Sequence, residues 1–458
     1  MKSTFSFKND FYPLLALLMP LIAVSIVNSC SGFFETLFLA HLSADVLAAG
    51  ALVGWLFGTL VVILFGTLSA INVLIAHQYG AKEEQYIVSV VRDGFAVAGL
   101  LFIPTFLLLW NMPPIFLLLG QTPFVVEQAT AYLHPLAWAL LPALITAVFF
   151  QFLLGLGQTR IVMAFTALST PLTIFFSYVL IFGHLGLPAL HIAGAGWGIM
   201  LSNTISAIAL MIYILQHHDY KPYWQYGFHF KSPSFIVELV RVGLPMGLMY
   251  CVEVGFFLTL MLLMGTLGVQ ALAANQIVFQ YLGPLMSVAF SIAQAITIRM
   301  GHELGAKNFQ TAKSTSFAGA ALTLFLMLFV ALCYWYCPQT LIGIDLNVHE
   351  IKHAKIVHDA IAFFAIAALF QIFEATRISL FGALRALKDT NYTLITSIIC
   401  FWGIALPAGY FFSHFYALGG KGFWWGMVLG AIMSVILLFY RLQKKMNLPS
   451  PQYVVTDK

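Results

Sequence analysis

Three glutamates lie deep inside apolar stretches of the chain, where a charged side chain is costly. They are Glu35, Glu253 and Glu374. A charge at the centre of a bilayer costs about 3 kcal/mol even by the lower published scales. Acids in such positions commonly serve proton relays, ion pathways or substrate binding. We therefore interpret these three residues as the chemical centre of the protein, with Glu253 foremost.

Two of the acids, Glu253 and Glu374, belong to the same half of the chain and form one polar site if their helices face each other. Two close carboxylates hold a proton because they cannot both ionise cheaply. Carboxylate and carbonyl oxygens also suit hard metal cations, and sodium is the candidate here. The residues leave both cations open. Either one would neutralise the site and shift the conformational equilibrium.

Arg377 is the one basic residue deep within an apolar stretch, and it follows Glu374 by three positions. That spacing puts both side chains on one helix face. A purely structural ion pair is therefore the alternative to a coupling role for Glu374. For Glu253 the alternative is a carboxyl that only holds helices together, and for Glu35 it is contact with interfacial water.

Neutral polar residues and aromatic rings accompany the acids. Thr173 and Ser177 share a helix face and could join Glu35 in a polar pocket. Phe257 follows Glu253 by one helical turn, where a ring could bind an organic cation through cation–π attraction. Hydrogen bonding across helices and ordinary core packing are the alternatives. We place five residues in the vicinity of substrate or cation: Phe257, Gln276, Arg377, Thr173 and Ser177.

The elements that carry these residues are membrane-spanning helices. Of the 458 residues, 61% are hydrophobic and 8% are charged, against about 25% charged in soluble domains. About 20 apolar residues suffice to span a bilayer. Twelve stretches qualify, with predicted limits of 11–37, 46–76, 88–112, 130–156, 161–185, 194–216, 237–264, 272–300, 315–337, 358–384, 392–414 and 422–441.

The Lys and Arg residues predict the orientation. If the N-terminus is cytoplasmic, most of the 21 basic residues fall in cytoplasmic segments. This distribution follows the positive-inside rule. We expect a multi-pass protein of the cell inner (plasma) membrane with both termini in the cytoplasm.

The two halves of the chain repeat each other. Pro20 aligns with Pro245, and Gly80-Ala-Lys82 aligns with Gly305-Ala-Lys307 at the same offset. Six spans per half make the repeats parallel, so a pseudo-twofold axis along the membrane normal relates two six-helix bundles. The predicted domains are an N-terminal lobe, a cytoplasmic linker, a C-terminal lobe and a cytoplasmic tail, at 1–216, 217–234, 235–445 and 446–458.

The repeat does not extend to the acids. At the offset of the prolines, Glu253 aligns with Asn28, and neither Glu35 nor Glu374 has an acidic counterpart. The halves therefore share a scaffold and differ in chemistry. No Walker A motif is present, so an ion gradient must drive any transport. We expect no cofactor, no enzymatic activity, no nucleic-acid binding, and a monomer.

Several motifs together resemble the MATE (multidrug and toxic compound extrusion) exporters of the NorM-like branch. The resemblance covers nearly the whole chain, and no single motif carries it. The motifs are Met19-Pro20-Leu21, Gly32-Phe-Phe-Glu-Thr36, Gly243-Leu-Pro245, Ala274-Asn-Gln276, Ile298-Arg-Met-Gly-His-Glu-Leu-Gly305, Gly382-Ala-Leu-Arg385 and Lys421-Gly-Phe-Trp424.

The resemblance implies antiport, in which sodium or protons enter while a cationic, often aromatic compound leaves by alternating access. Family acids of spans one, seven and ten fall on Glu35, Glu253 and Glu374, where the first and third are often Asp. Thr173 and Ser177 stand where the family often has an Asn pair. Arg377 is a departure, since a neutral polar residue is more usual there.

Two other functions compete with export. A related flippase of lipid-linked precursors would have the same two-lobe fold. It would carry several cavity Arg and Lys residues for pyrophosphate, whereas this chain has only Arg377 deep within a span. A receptor or scaffold without transport activity would require neither the repeat nor three buried acids.

Overall fold

The computed structural model describes residues 7–225, 234–346 and 350–447, and these ranges are helical with no strand. Within these ranges, twelve helices are long and apolar enough to cross a membrane. The predicted all-α fold and the number of spans are thereby confirmed. The observed helices begin and end within seven residues of the predicted limits, and the largest difference is at Pro123, where the predicted span begins at 130.

The twelve long helices are numbered in chain order. The first six are α1 (Phe7–Ala40), α2 (Ala44–Gly80), α3 (Glu84–Trp110), α4 (Pro123–Gly155), α5 (Thr159–Phe182) and α6 (Ile192–Gln216). The second six are α7 (Ile236–Thr266), α8 (Val269–Gly305), α9 (Phe309–Tyr336), α10 (Ala354–Ala386), α11 (Thr390–His414) and α12 (Gly420–Met446).

Local chemistry explains several helix ends. Ser43 caps α2, because its side-chain oxygen accepts a hydrogen bond from the backbone N–H of Val46 at 3.2 Å. Gly183 follows α5 with φ of +74°, a left-handed conformation that glycine adopts without penalty. Short helices at Met112–Leu118, Lys221–Gln225 and Pro338–Asp345 lie between the long ones.

The chain forms two compact units. The first unit is Met19–Gly247, and the second unit is Leu248–Lys458 together with Met1–Leu18. These boundaries fall inside α1 and α7, whereas the predicted lobes meet at the linker 217–234; the predicted domain limits remain predictions. Residues 226–233 of that linker and 448–458 of the predicted tail lie outside the described residues.

Small residues bring the helices of the second unit close together. A Cβ atom on Gly382 of α10 would lie 2.5 Å from the backbone oxygen of Ala293 in α8. A Cβ atom on Gly430 of α12 would lie 2.8 Å from the backbone oxygen of Cys400 in α11. Any side chain at these glycines would push the helices apart. The lack of a side chain at these two positions therefore allows α10 to pack closely on α8, and α12 on α11.

One helix of the second unit departs from α-helical geometry. In α11, residues Ile398–Ala405 form a π-helical segment. Such segments are rare and occur frequently at functional sites, because the wider turn re-aims the side chains on it.

Candidate functional site

A buried arginine joins the two acids of the second unit. Arg377 donates from Nε to Oε2 of Glu374 at 2.9 Å and from Nη2 to Oε1 of Glu374 at 2.6 Å. Its Nη1 donates to Oε1 of Glu253 at 2.9 Å. We call Glu253, Glu374 and Arg377 the acid–arginine triad.

The backbone explains the shape of the triad. Glu374 and Arg377 lie three positions apart on α10, so the guanidinium can donate two hydrogen bonds to the carboxylate of Glu374. Glu253 comes from α7, so its contact with Arg377 links two helices. Arg377 thus makes two hydrogen bonds to Glu374 within its own helix and one hydrogen bond to Glu253 of another helix.

The triad is almost completely removed from solvent. The exposed fractions are 6% for Glu253, 3% for Glu374 and 1% for Arg377. With both carboxylates ionised, one guanidinium leaves a net charge of −1 in apolar surroundings. Buried charges are tolerated when they are paired, and an excess charge is penalised. Such a site favours uptake of one further positive charge.

The π-helical segment and the residue before it complete the surroundings of Arg377. The hydroxyl of Ser397 accepts a hydrogen bond from Nη1 at 3.5 Å. The guanidinium carbon lies 5.0 Å from the centre of the Phe401 ring, which is a cation–π geometry. In addition, Trp402 donates from its indole nitrogen to the backbone oxygen of Val252 at 3.1 Å. The segment thus contacts both helices that carry the acids.

Sequence reasoning missed Ser397 and Phe401. Neither residue differs in type from dozens of others in the apolar helices. The only available signal was a polar residue inside an apolar stretch for Ser397. The sequence carries no signal for the π-helical turn that brings Phe401 over the guanidinium.

Phe257 belongs to a group of rings beside the triad. Its ring centre lies 5.4 Å from that of Phe256, 5.7 Å from Phe279 and 6.3 Å from Phe401. We call these four residues the aromatic cluster. Because Phe401 also packs against Arg377, the aromatic cluster and the triad form one continuous region.

Gln276 lies on the exposed side of α8, whereas its neighbour Asn275 is buried with 2% exposure. The side-chain oxygen of Asn275 has no hydrogen-bond partner. The sequence-based prediction places Gln276, and not Asn275, in the vicinity of substrate or cation. A single position in the helix decides which of the two amides points inward.

The three predicted residues of the first unit line one small cavity. Glu35 of α1 meets Thr173 and Ser177 of α5 there. Thr173 donates a hydrogen bond to Ser202 at 2.7 Å, while the buried hydroxyl of Ser177 has no partner. Within the described ranges, no basic side chain pairs with Glu35. We call this the Glu35 cavity.

No group of three or more His, Cys, Asp and Glu side chains able to hold a metal occurs in the described part of the chain. The predicted sodium ligands Glu253 and Glu374 are bridged by Arg377. That Glu253 and Glu374 bind the coupling cation remains a prediction.

Comparisons with known proteins agree with one another. The MatE family model matches residues 20–179 and again residues 245–411, so the two matches begin at the aligned prolines Pro20 and Pro245. The chain is 32% identical over 439 residues to the probable multidrug resistance protein NorM of Pseudomonas syringae pv. tomato, with 95% of each protein covered. It is 29% identical over 429 residues to the protein of that name from Brucella suis, covering 93% of this chain and 91% of the relative.

Solved structures share the fold at lower sequence identity. The eukaryotic MATE transporter AtDTX14 superposes with a TM-score of 0.81 at 20% identity, with 95% of this chain and 96% of that chain covered. A MOP superfamily transporter from Pyrococcus furiosus gives a TM-score of 0.85 at 18% identity, with 95% of each chain covered.

Twelve apolar helices in two halves that match the same family model, with charged residues buried among them, define a multi-pass membrane transporter. The chain belongs to the MatE family.

Proposed function

We propose that the protein is an antiporter that exports cationic, amphipathic organic compounds by alternating access, coupled to entry of sodium or protons. The relatives named as probable multidrug resistance proteins support the drug-export part of this proposal. The acid–arginine triad is the observation that carries the proposal, because its excess negative charge is buried and requires a cation.

A purely structural role explains the triad less well. One carboxylate suffices to pair with one arginine, and Glu374 already meets Arg377 with two hydrogen bonds. Adding Glu253 from another helix brings a second buried acid that must share the same arginine. Because a buried unpaired charge destabilises the fold, its presence is explained if a mobile cation neutralises it during transport.

The aromatic cluster supplies the surface that an organic cation requires. Flat apolar rings next to carboxylates attract a delocalised positive charge through both cation–π and Coulomb terms. When the substrate and the coupling cation compete for the same excess charge, binding of one favours release of the other. That competition is the basis of exchange.

The proposed membrane and orientation are those predicted from the distribution of Lys and Arg in the sequence. The protein lies in the cell inner membrane with both termini in the cytoplasm, and the Glu35 cavity forms a second, separate polar site in the first unit.

Replacing Glu253 with Gln tests the proposal most directly. We expect the Glu253→Gln variant, purified and reconstituted into liposomes, to lose export of an aromatic cation such as ethidium under both a sodium and a pH gradient. The reason is that the neutral amide removes the excess charge on which exchange depends.

A matched control is Glu238→Gln, which makes the same substitution in the first turn of the same helix. This control should retain export. Full activity of a folded Glu253→Gln protein, judged by its elution profile and thermal unfolding, contradicts the proposed role of the triad.

A further inference from the structure

We infer, on the basis of the export function proposed above, that Arg377 occupies the place of a sodium ion between Glu253 and Glu374, so that the second unit couples to protons through Glu253. Arg377 thereby determines which cation the transporter uses.

Most of the carboxylate oxygens in the triad are already occupied by Arg377. Three of the carboxylate oxygens in the triad accept hydrogen bonds from the guanidinium, and the remaining one is Oε2 of Glu253. Hard metal cations bind several oxygens at once. A sodium ion between the two acids would therefore have to compete with the guanidinium for the same atoms.

The guanidinium of Arg377 also places a permanent positive charge between the two acids. A guanidinium stays protonated in proteins and is tethered to the site by its own helix. A sodium ion at the same place would face this fixed positive charge at short range, where the repulsion is strong in buried surroundings. A proton instead forms a bond to a single oxygen, and one proton brings the triad from a net charge of −1 to neutrality.

Of the two acids, Glu253 is the one that takes up the proton. Glu374 accepts two hydrogen bonds from Arg377, whereas Glu253 accepts one. Protonation of Glu253 therefore gives up the weaker of the two pairings. The charged side chains around Glu253 are Arg377, which it contacts, and Glu374, which shares that arginine.

Titratable groups on the neighbouring elements lie further out. Tyr250 stands on the same helix as Glu253 and lies within electrostatic range of Arg385 and of the triad. Cys400, on α11, lies within electrostatic range of Arg377. Arg385, held by Thr297 and Gln294 of α8, adds a second fixed positive charge beyond Tyr250. The fixed positive charges on this side further disfavour a metal cation.

The consequence is a way to transmit proton binding. The pairing of Arg377 with Glu374 stays within α10, but its pairing with Glu253 joins α10 to α7. A proton on Glu253 weakens the link between helices and leaves the link within the helix intact. Proton binding at this acid would thus free α7 to move relative to α10.

The first experiment needs no variant. Export of ethidium by the wild-type protein in liposomes is measured under a pH gradient without sodium and, separately, under a sodium gradient at equal pH on both sides. We expect the pH gradient to drive export and the sodium gradient to have no effect. Export driven by sodium at equal pH overturns the inference and leaves the proposed export function intact. If neither gradient drives export by folded protein, the proposed function itself is wrong.

The second experiment removes the guanidinium. Binding of radioactive sodium to purified protein is measured in a Glu35→Gln background, so that the Glu35 cavity does not contribute. We expect no saturable binding in that background and saturable binding after the further change Arg377→Gln. Arg377→Lys, which retains a positive charge, should behave like the background protein.

Arg441→Gln serves as the control, because it removes a guanidinium paired with Asp389 elsewhere in the same unit. It should not create sodium binding. Saturable sodium binding in the Glu35→Gln protein that disappears when Glu253→Gln is added overturns the inference, and this measurement remains decisive if Arg377→Gln does not fold.

Discussion

The acid–arginine triad and the Glu35 cavity are two polar sites in helices of the same kind, yet they differ in how the acid is surrounded: Glu253 and Glu374 are buried, whereas Glu35 is half-buried. In the second unit, two acids share one arginine through three short hydrogen bonds. In the first unit, one acid lies among hydroxyl groups and aromatic rings, without a basic partner in the described ranges. The repeated scaffold therefore does not require either arrangement.

The difference separates two ways to keep an acid inside the membrane. A permanent internal cation lets the triad hold charge when no ligand is bound, and it ties two helices together. The Glu35 cavity lacks such a cation, so its acid is either neutral or neutralised from outside. Under the proposed function, the first arrangement would couple ion binding to helix contacts, whereas the second would respond to a ligand without breaking a bond in the protein.

The largest difference between the sites should appear in stability. Arg377→Met leaves two carboxylates buried without a partner, which we expect to lower the free energy of unfolding by about 3–5 kcal/mol. Glu35→Leu removes an acid that has no ionic partner and should change it by less than about 1 kcal/mol. Thermal unfolding of both variants in detergent measures the difference. Equal midpoints for the two would show that the arginine does not stabilise the triad.

A smaller difference is expected for the rings that border each site. Phe401 is fully buried, lies 4.9 Å from Phe256 and covers Arg377. Its replacement by Leu should cost about 2 kcal/mol through lost packing and lost cation–π attraction. Phe34, an exposed ring at the Glu35 cavity, provides the matched change Phe34→Leu.

Phe34→Leu should destabilise the protein by less than Phe401→Leu, because Phe34 is 37% exposed whereas Phe401 is fully buried. The same unfolding assay compares the two aromatic variants. A loss at Phe34 as large as that at Phe401 would mean that the ring beside the arginine contributes nothing beyond ordinary packing.

The smallest difference concerns two serines. Ser397 accepts a hydrogen bond from Arg377, so Ser397→Ala should cost about 1 kcal/mol. The buried hydroxyl of Ser177 has no partner, so Ser177→Ala should be neutral or slightly stabilising. Chemical denaturation of both variants tests this pair. Destabilisation by Ser177→Ala would reveal a partner for that hydroxyl, such as a bound water.

The prediction of the fold from the sequence was good because its signals are local. Apolar length alone predicts twelve spans, and the three-residue spacing of Glu374 and Arg377 alone predicts their shared helix face. The offset between Pro20 and Pro245 likewise agrees with the two segments matched by the family model.

What no local signal shows is which helices meet. Nothing near Glu253 in the chain indicates that it contacts Arg377 rather than water, lipid or Glu374 alone. The choice between Asn275 and Gln276 as the inward amide depends on the rotation of α8 about its axis. The position of Phe401 depends on a π-helical turn that a regular helix would not contain.

The sequence by itself determined the membrane-spanning helices, the repeat and the identity of the buried acids, since length, hydropathy and spacing depend on neighbours along the chain. Only the tertiary structure decided that one arginine from α10 serves acids on two helices, and that Glu35 has hydroxyl neighbours instead. The physical reason is that close helix packing, at glycines such as Gly382 and Gly430, sets side-chain contacts between residues far apart in the chain.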